Sequence, residues 1–266
     1  MASVSLDAGA PRRSGAALGG GAVLRMVLTL LGMAVAWEAL VRGLAIPGYY
    51  LPPFSAVCLQ LWRSPDLFLA AVLRTGGETL LGFVAGGLFG LLSGIVFVHV
   101  RVIERMFFPF FVVSQSVPVI AFGALIVIWF GNGIFAKVAI AFYLTFFPVT
   151  VSTVRGLGSV DPQHIALLRS FGARAPKLFF SLRFPSALPL IFVSLRLGIS
   201  LSLIGAIVGE WFGDTVGLGV LLLQAMFNEQ MPRLWATIVI AALLGSGLYL
   251  VVAAIERRVV WWRDEL

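Results

Sequence analysis

Residues 167–189 read LLRSFGARAPKLFFSLRFPSALP. Four cations, Arg169, Arg174, Lys177 and Arg183, sit here between two strongly apolar parts of the chain. The pattern predicts short helices outside a membrane. Asp161-Pro162 opens the first, with Asp as N-cap and Pro at the first helical position. Ile165, Leu168 and Phe171 then form one apolar stripe. Gly172 permits the left-handed turn that ends a helix, and residues 175–183 form a second one, which Pro185 and Pro189 are expected to stop. A short amphipathic helix with a basic rim suits either an anionic lipid surface or the groove of a partner protein, and its pattern alone leaves both open.

Outward from this loop, the composition belongs to a membrane. Of 266 residues 60% are hydrophobic and 12% charged, where soluble domains carry about 25% charged residues, and the mean hydropathy is +1.02. Apolar runs of about 20 residues, enough to cross a bilayer as helix, fall near 24–43, 76–98, 107–130, 134–154, 187–209 and 234–255. Short alternating strands of the outer-membrane barrel type are absent. The expected fold is an all-α polytopic membrane protein with about six transmembrane helices. A single transmembrane domain over 24–266 follows a loose tail, 1–23, rich in Gly, Ala and Ser, and the basic loop at about 157–185 joins spans four and five.

Basic residues at span ends are retained on the cytoplasmic side. With the N-terminus inside, Arg12, Arg13, Arg25, Arg101, Arg105, Arg155, Arg169, Arg174, Lys177, Arg183, Arg257, Arg258 and Arg263 are cytoplasmic. The opposite side keeps only Arg42, Arg63, Arg74, Lys137 and Arg233. Both termini are therefore expected in the cytoplasm, with the +7 charge explained by topology and membrane lipid rather than nucleic acid. An export signal opening at Arg12-Arg13 is disfavoured by the five spans that follow the first. The one cysteine, Cys58, excludes an intramolecular disulfide.

The spacing in the loop is more specific than its charge. Ala166-Leu167-Leu168, three residues, Gly172, nine residues, then Leu182-Arg183-Phe184-Pro185 resembles the signature loop of bacterial ABC-importer membrane subunits. Their pattern is Glu-Ala-Ala, three residues, Gly, nine residues, Ile-x-Leu-Pro, and the departure here is the missing Glu. The resemblance extends over roughly 27–262. Leu51-Pro52-Pro53-Phe54-Ser55-Ala56-Val57, Gln115-Ser116-Val117-Pro118, Trp129-Phe130-Gly131, Phe146-Phe147-Pro148, Gly205 to Glu210 and Gly217-Leu218-Gly219 are similar, in order, to permeases of the nitrate, sulfonate and taurine group. Residues 168–173 and 205–210 lean toward the branch associated with thiamine-precursor pyrimidines and riboflavin.

This resemblance implies a transport subunit of the bacterial inner membrane that is not itself an enzyme. It implies cytoplasmic ABC ATPase subunits that bind ATP, an extracytoplasmic solute-binding protein and a second permease copy, a homodimer or a paralogous pair. Coupling to the ATPase would fall to Ala166, Leu167, Leu168, Gly172, Ala173, Leu182, Phe184 and Pro185. The chain has no Gly-x-x-x-x-Gly-Lys-[Ser/Thr] phosphate loop, its lysines Lys137 and Lys177 following Ala and Pro. No catalytic, cofactor or metal constellation is expected, since His99 and His164 belong to different parts of the topology. The rival reading is an ion-coupled secondary transporter, which would show buried carboxylates and inverted repeats.

Candidate path residues are Gln115, Ser116 and Pro118, where a proline frees a backbone carbonyl beside two uncharged hydrogen-bonding side chains. They suit either a path lining or a kink closed by helix contacts. Arg196, deep in span five, suits an anion path, a carboxylate partner or snorkelling to the interface. Glu38, Glu78 and Glu210 are expected to reach water near span ends. Gly82, Gly86, Gly90 and Gly94 form a flat helix face for close packing within the subunit. Residues 213–227 are expected to form a short re-entrant or interfacial segment.

Overall fold

A computed structural model describes residues 20–262. The expected tail lies outside that range up to residue 19, as does Arg263. Among the described residues every regular element is a helix: α1 (Gly20–Gly43), α2 (Phe54–Arg63), α3 (Pro65–His99), α4 (Arg101–Ser114), α5 (Val119–Phe130), α6 (Ile134–Gly158), α7 (Pro162–Ser170), α8 (Ala175–Leu178), a π turn (Phe179–Arg183), α9 (Phe184–Glu210), α10 (Leu218–Phe227) and α11 (Met231–Val259). Four helices, α3, α6, the continuous run Ala175–Glu210 and α11, are long and apolar enough to cross a membrane. The pair α4 and α5 makes a fifth if taken as one span. The span expected near 24–43 is helix α1, which is not one of these.

The core is a three-helix unit of α3, α6 and α9. Its tightness comes from small residues, as helices in lipid associate through close packing rather than through hydrophobic burial. A Cβ at Gly86 would lie 2.8 Å from the Phe142 carbonyl oxygen and 2.8 Å from Thr145 Cβ, and one at Gly205 would lie 2.8 Å from Ala141 Cα. The strip Gly82 to Gly94 thus meets α6 backbone to backbone, as packing within one subunit. On α6, the hydroxyls of Thr145, Thr150 and Thr153 donate to the carbonyls of Ala141, Phe146 and Val149 four residues back. Polar side chains are so satisfied without leaving the helix.

Two boundaries differ from expectation. The run expected over 107–130 is two helices meeting at 104°, because Pro118 has no N–H to continue the ladder across Gln115–Val117. The second helix of the basic loop, conversely, does not stop at Pro185 or Pro189: Ala175–Glu210 is one helix of 36 residues. The π turn explains this. Phe184 N–H donates to Phe179 O five residues back, and the widened turn relieves the carbonyls that the Pro185 ring would otherwise strike.

Candidate functional site

The basic loop is built as its spacing predicts up to Gly172. Asp161 caps α7, its Oδ1 accepting from Gln163 N–H at 2.8 Å. At the other end Gly172 takes φ +78°. Gly172 N–H donates to Arg169 O at 2.9 Å and Ala173 N–H to Leu168 O at 3.0 Å, which satisfies the last carbonyls of the helix. Between these caps α7 packs broadly against no other helix. Leu167 is 53% and Phe171 78% exposed; Ala166 is exposed and Leu168 and Ala173 half-buried. Arg169, Arg174 and Lys177 are exposed around them. Leu182, Phe184 and Pro185 are half-buried on the long helix, where the Phe184 ring lies 5.8 Å from that of Phe179. The signature is therefore split: Ala166–Ala173 projects, and Leu182–Pro185 roots it in the bundle.

The α4–α5 break forms a second polar feature. Tyr143 of α6 donates its hydroxyl to the Ser114 carbonyl, which also accepts from Val117 N–H at 3.1 Å in the turn that ends α4. The Tyr143 ring stacks on Phe122 of α5 at 3.9 Å. Gln115 caps α4, and its Nε2 is buried with no hydrogen-bond partner among the described residues; Ser116 and Pro118 are exposed. A cavity of about 400 Å³ lies beside this elbow, lined by Phe122, Phe130, Phe135, Phe142 and Tyr143 among others. Tyr143 carries no sequence signal, since only the fold brings it to Ser114.

Arg196 does not join the elbow. Its Nε lies 3.1 Å from Glu256 of α11, and its guanidinium lies 5.8 Å from the Tyr249 ring centroid on the same helix. Of the three roles open to it, a carboxylate partner is the one observed.

Two of the three glutamates depart from expectation. Glu38 is partly exposed and binds Ser55, accepting from its N–H at 3.0 Å and its hydroxyl at 2.8 Å. Glu78 and Glu210, however, are 0% and 1% exposed. They are kept from water because α3, α6, α9 and the 211–217 turn close over them. Arg74 Nε is 2.8 Å from Glu78, and Arg74 Nη2 is 3.6 Å from Asp214. Lys137, fully buried, reaches Asp214 at 3.1 Å and also donates to both oxygens of Asn132. Burial pushes the Asp214 carboxyl up, but the Thr215 N–H, Lys137 and Arg74 together hold it below the usual carboxylate range. Glu210 accepts from the Thr75 hydroxyl and from Gly219 N–H, each at 2.6 Å. The sequence named Gly205 to Glu210 and Gly217-Leu218-Gly219 only as separate motifs, and the partner Thr75 is 135 residues from Glu210.

Comparison with known proteins gives a consistent result. Residues 86–261 match the family described as the inner membrane component of binding-protein-dependent transport systems. The chain is 35% identical, over 91% of its length and 97% of the relative's, to the formylaminopyrimidine transport permease protein ThiX of Halalkalibacterium halodurans. It is 32% identical to the riboflavin transport system permease protein RibX of Chloroflexus aurantiacus, over 90% of each chain. It is 27% identical to the taurine transport system permease protein TauC of Escherichia coli, over 90% of this chain and 89% of that one.

Proposed function

The chain belongs to the family of inner membrane components of binding-protein-dependent transport systems, and from that premise we propose that residues 161–185 are the surface by which it docks onto an ATP-hydrolysing partner. Its function is that of the permease subunit of an ABC importer, a multi-pass protein of the inner membrane. An importer of this kind takes its energy from ATP, so the ion-coupled alternative falls away. The observation that carries the docking surface is the state of α7, which is capped at both ends and apolar at Leu167 and Phe171, yet packs broadly on nothing. An apolar helix face held rigid and left uncovered outside the spans fits the groove of a partner protein.

The remaining assignments follow this reading. ATP is bound and hydrolysed by the partner, both termini lie on the cytoplasmic side with the basic loop, α1 crossing as the sixth span expected from the sequence, and a solute-binding protein delivers cargo at the opposite end. Two permease copies enclose the path about a two-fold axis, since so few helices seldom surround a solute alone. Gln115, Ser116 and Pro118 line the path at the elbow, where an amide lacks a partner beside a cavity walled by aromatic rings. Rings of this kind stack on flat heterocycles. The cargo that fits is a thiamine-precursor pyrimidine or riboflavin-like solute, in line with the names of ThiX and RibX, rather than a sulfonate.

Cross-linking tests the docking surface. In a Cys58→Ser background, which removes the native thiol, Phe171→Cys is expected to form a cross-link to the ATPase subunit with a short bifunctional reagent. Thr215→Cys, at the other end of the long helix, serves as the negative control. A cross-link absent from Phe171→Cys in an assembled complex overturns the assignment.

A further inference from the structure

The amino end of α10 is capped from outside its own segment. Its N-cap position is Gly217, which has no side chain, and no local side chain caps the helix. Leu218 N–H instead donates to Thr75 Oγ1 of α3 at 2.9 Å, and Gly219 N–H donates to Glu210 Oε2 of α9 at 2.6 Å. Thr75 closes the triangle by donating to Glu210 Oε1 at 2.6 Å. Gly217 and Gly219 make room for this: at 217 a Cβ would strike the Glu210 carboxylate, and at 219 it would lie 2.9 Å from Oε2.

A Ser, Thr, Asp or Asn at an N-cap position satisfies the N–H of N2 or N3 locally, which here would take Gly219 N–H. A fully buried carboxylate is the costlier solution. What it adds is conditional capping, since α10 is capped only when α3, α9 and the 211–217 turn are in register. This matters because α10 packs more broadly on α11 than on α9; Leu218 and Leu221 share a core with Ala236 of α11 and with Phe68 and Ala71 of α3, and none of its buried members comes from α9. The polar joint is thus the side-chain tie between the start of α10 and the end of α9. Glu210 is also the last residue of the 36-residue helix that starts at Ala175, three positions beyond Gly172. At 1.5 Å per residue that helix spans about 54 Å.

We propose that Thr75 and Glu210 are positioning residues for transport, which bind segment 211–227 to the far end of the helix that carries the coupling loop. This rests on the reading of 161–185 as the ATPase-docking surface. Movement of the loop then reaches 211–227 without slack, and a solute-binding protein docked at that opposite end reaches the ATPase by the same route.

The test is ATP hydrolysis by the assembled complex of this chain with its ATPase, reconstituted in nanodiscs, with and without its solute-binding protein. The readout is the ratio of stimulated to unstimulated hydrolysis. Thr75→Val, isosteric but without the hydroxyl, and Glu210→Gln, isosteric but with one accepting oxygen replaced by an NH2 group, are expected to lower that ratio by about fivefold or more, the lower bound of common allosteric couplings. Thr75→Ser is expected to restore it. An unchanged ratio in Thr75→Val overturns the proposal. So does a fall in stimulated and unstimulated rates in proportion to lost complex, which marks a purely structural role. A native chain that retains no ATPase overturns the docking reading and this one with it; a native complex with an indifferent Thr75→Val overturns this one alone.

Discussion

At Glu210 the long helix Ala175–Glu210 ends in a joint closed to solvent, where Thr75, Glu78, Lys137 and Glu210 are all essentially unexposed and held by one another, by Arg74 and Asp214, or by backbone. At Ala175 the same helix ends in a loop where Leu167 and Phe171 face outward and a Cβ on Gly172 would meet nothing within 4 Å. One end is closed by interactions inside the chain; the other is shaped by caps but left uncovered. The difference teaches where the chain is complete and where it awaits a partner. A substitution at the Glu210 end should be felt as lost stability or lost coupling, and one at the Ala175 end as lost association.

The largest effect is expected at Lys137. Asp214→Ala leaves its buried ammonium with only the oxygens of Asn132, and breaking a buried pair from one side costs roughly 3–5 kcal/mol. Thermal unfolding in detergent should show this, and the double change Lys137→Met, Asp214→Asn should recover much of it. Because Asp214 is held below its ordinary value of 3.8, its contribution is constant at neutral pH and is lost only as pH falls below that value through the folded one.

Next comes the glycine seam. Gly86→Ala places a Cβ 2.8 Å from Phe142 O and Thr145 Cβ, an overpacking expected to cost about 1–3 kcal/mol. A neutral Gly86→Ala would break the picture of α3, α6 and α9 as one rigid unit. At Gly172 no atom stands in the way, and only the φ of +78° opposes a side chain. Gly172→Ala is expected to cost about 1–2 kcal/mol at the turn, read as faster hydrogen exchange at Gly172 and Ala173 with the melting temperature nearly unchanged. Tyr143→Phe removes the bond to the Ser114 carbonyl, and by the average for interhelical hydrogen bonds in membranes it should cost about 0.6 kcal/mol. Smallest of all in stability, Leu167→Asp and Phe171→Asp should fall within about 0.5 kcal/mol of the native chain, as exposed substitutions do.

The uncovered end was the more legible in sequence because its determinants are local. Asp161-Pro162, the apolar spacing and Gly172 each act within a few residues, and the structure carries the caps and the left-handed turn they imply. The glycine strip was legible for the same reason, as a period along one helix. The closed end was not. Hydropathy treats Glu78 and Glu210 as costs to be placed near water, and only the arrival of Arg74, Thr75 and Gly219 from elsewhere makes burial tolerable. Pro185 misled as a helix stop because a π turn, which has no sequence rule as firm as that of proline, lies just before it. Arg196 kept three roles open until α11 brought Glu256 within 3.1 Å.

The central claim is that Ala166–Ala173 is a docking face, and its most direct measurement is co-purification of the solubilised chain with its ATPase subunit. Native protein is compared with Leu167→Asp, Phe171→Asp and Gly172→Pro. The account predicts that the native chain retains the ATPase and that all three variants lose it, while the two exposed Asp variants keep the native melting temperature. Retention of the ATPase by Leu167→Asp and Phe171→Asp would contradict it, leaving α7 a connector at the membrane surface.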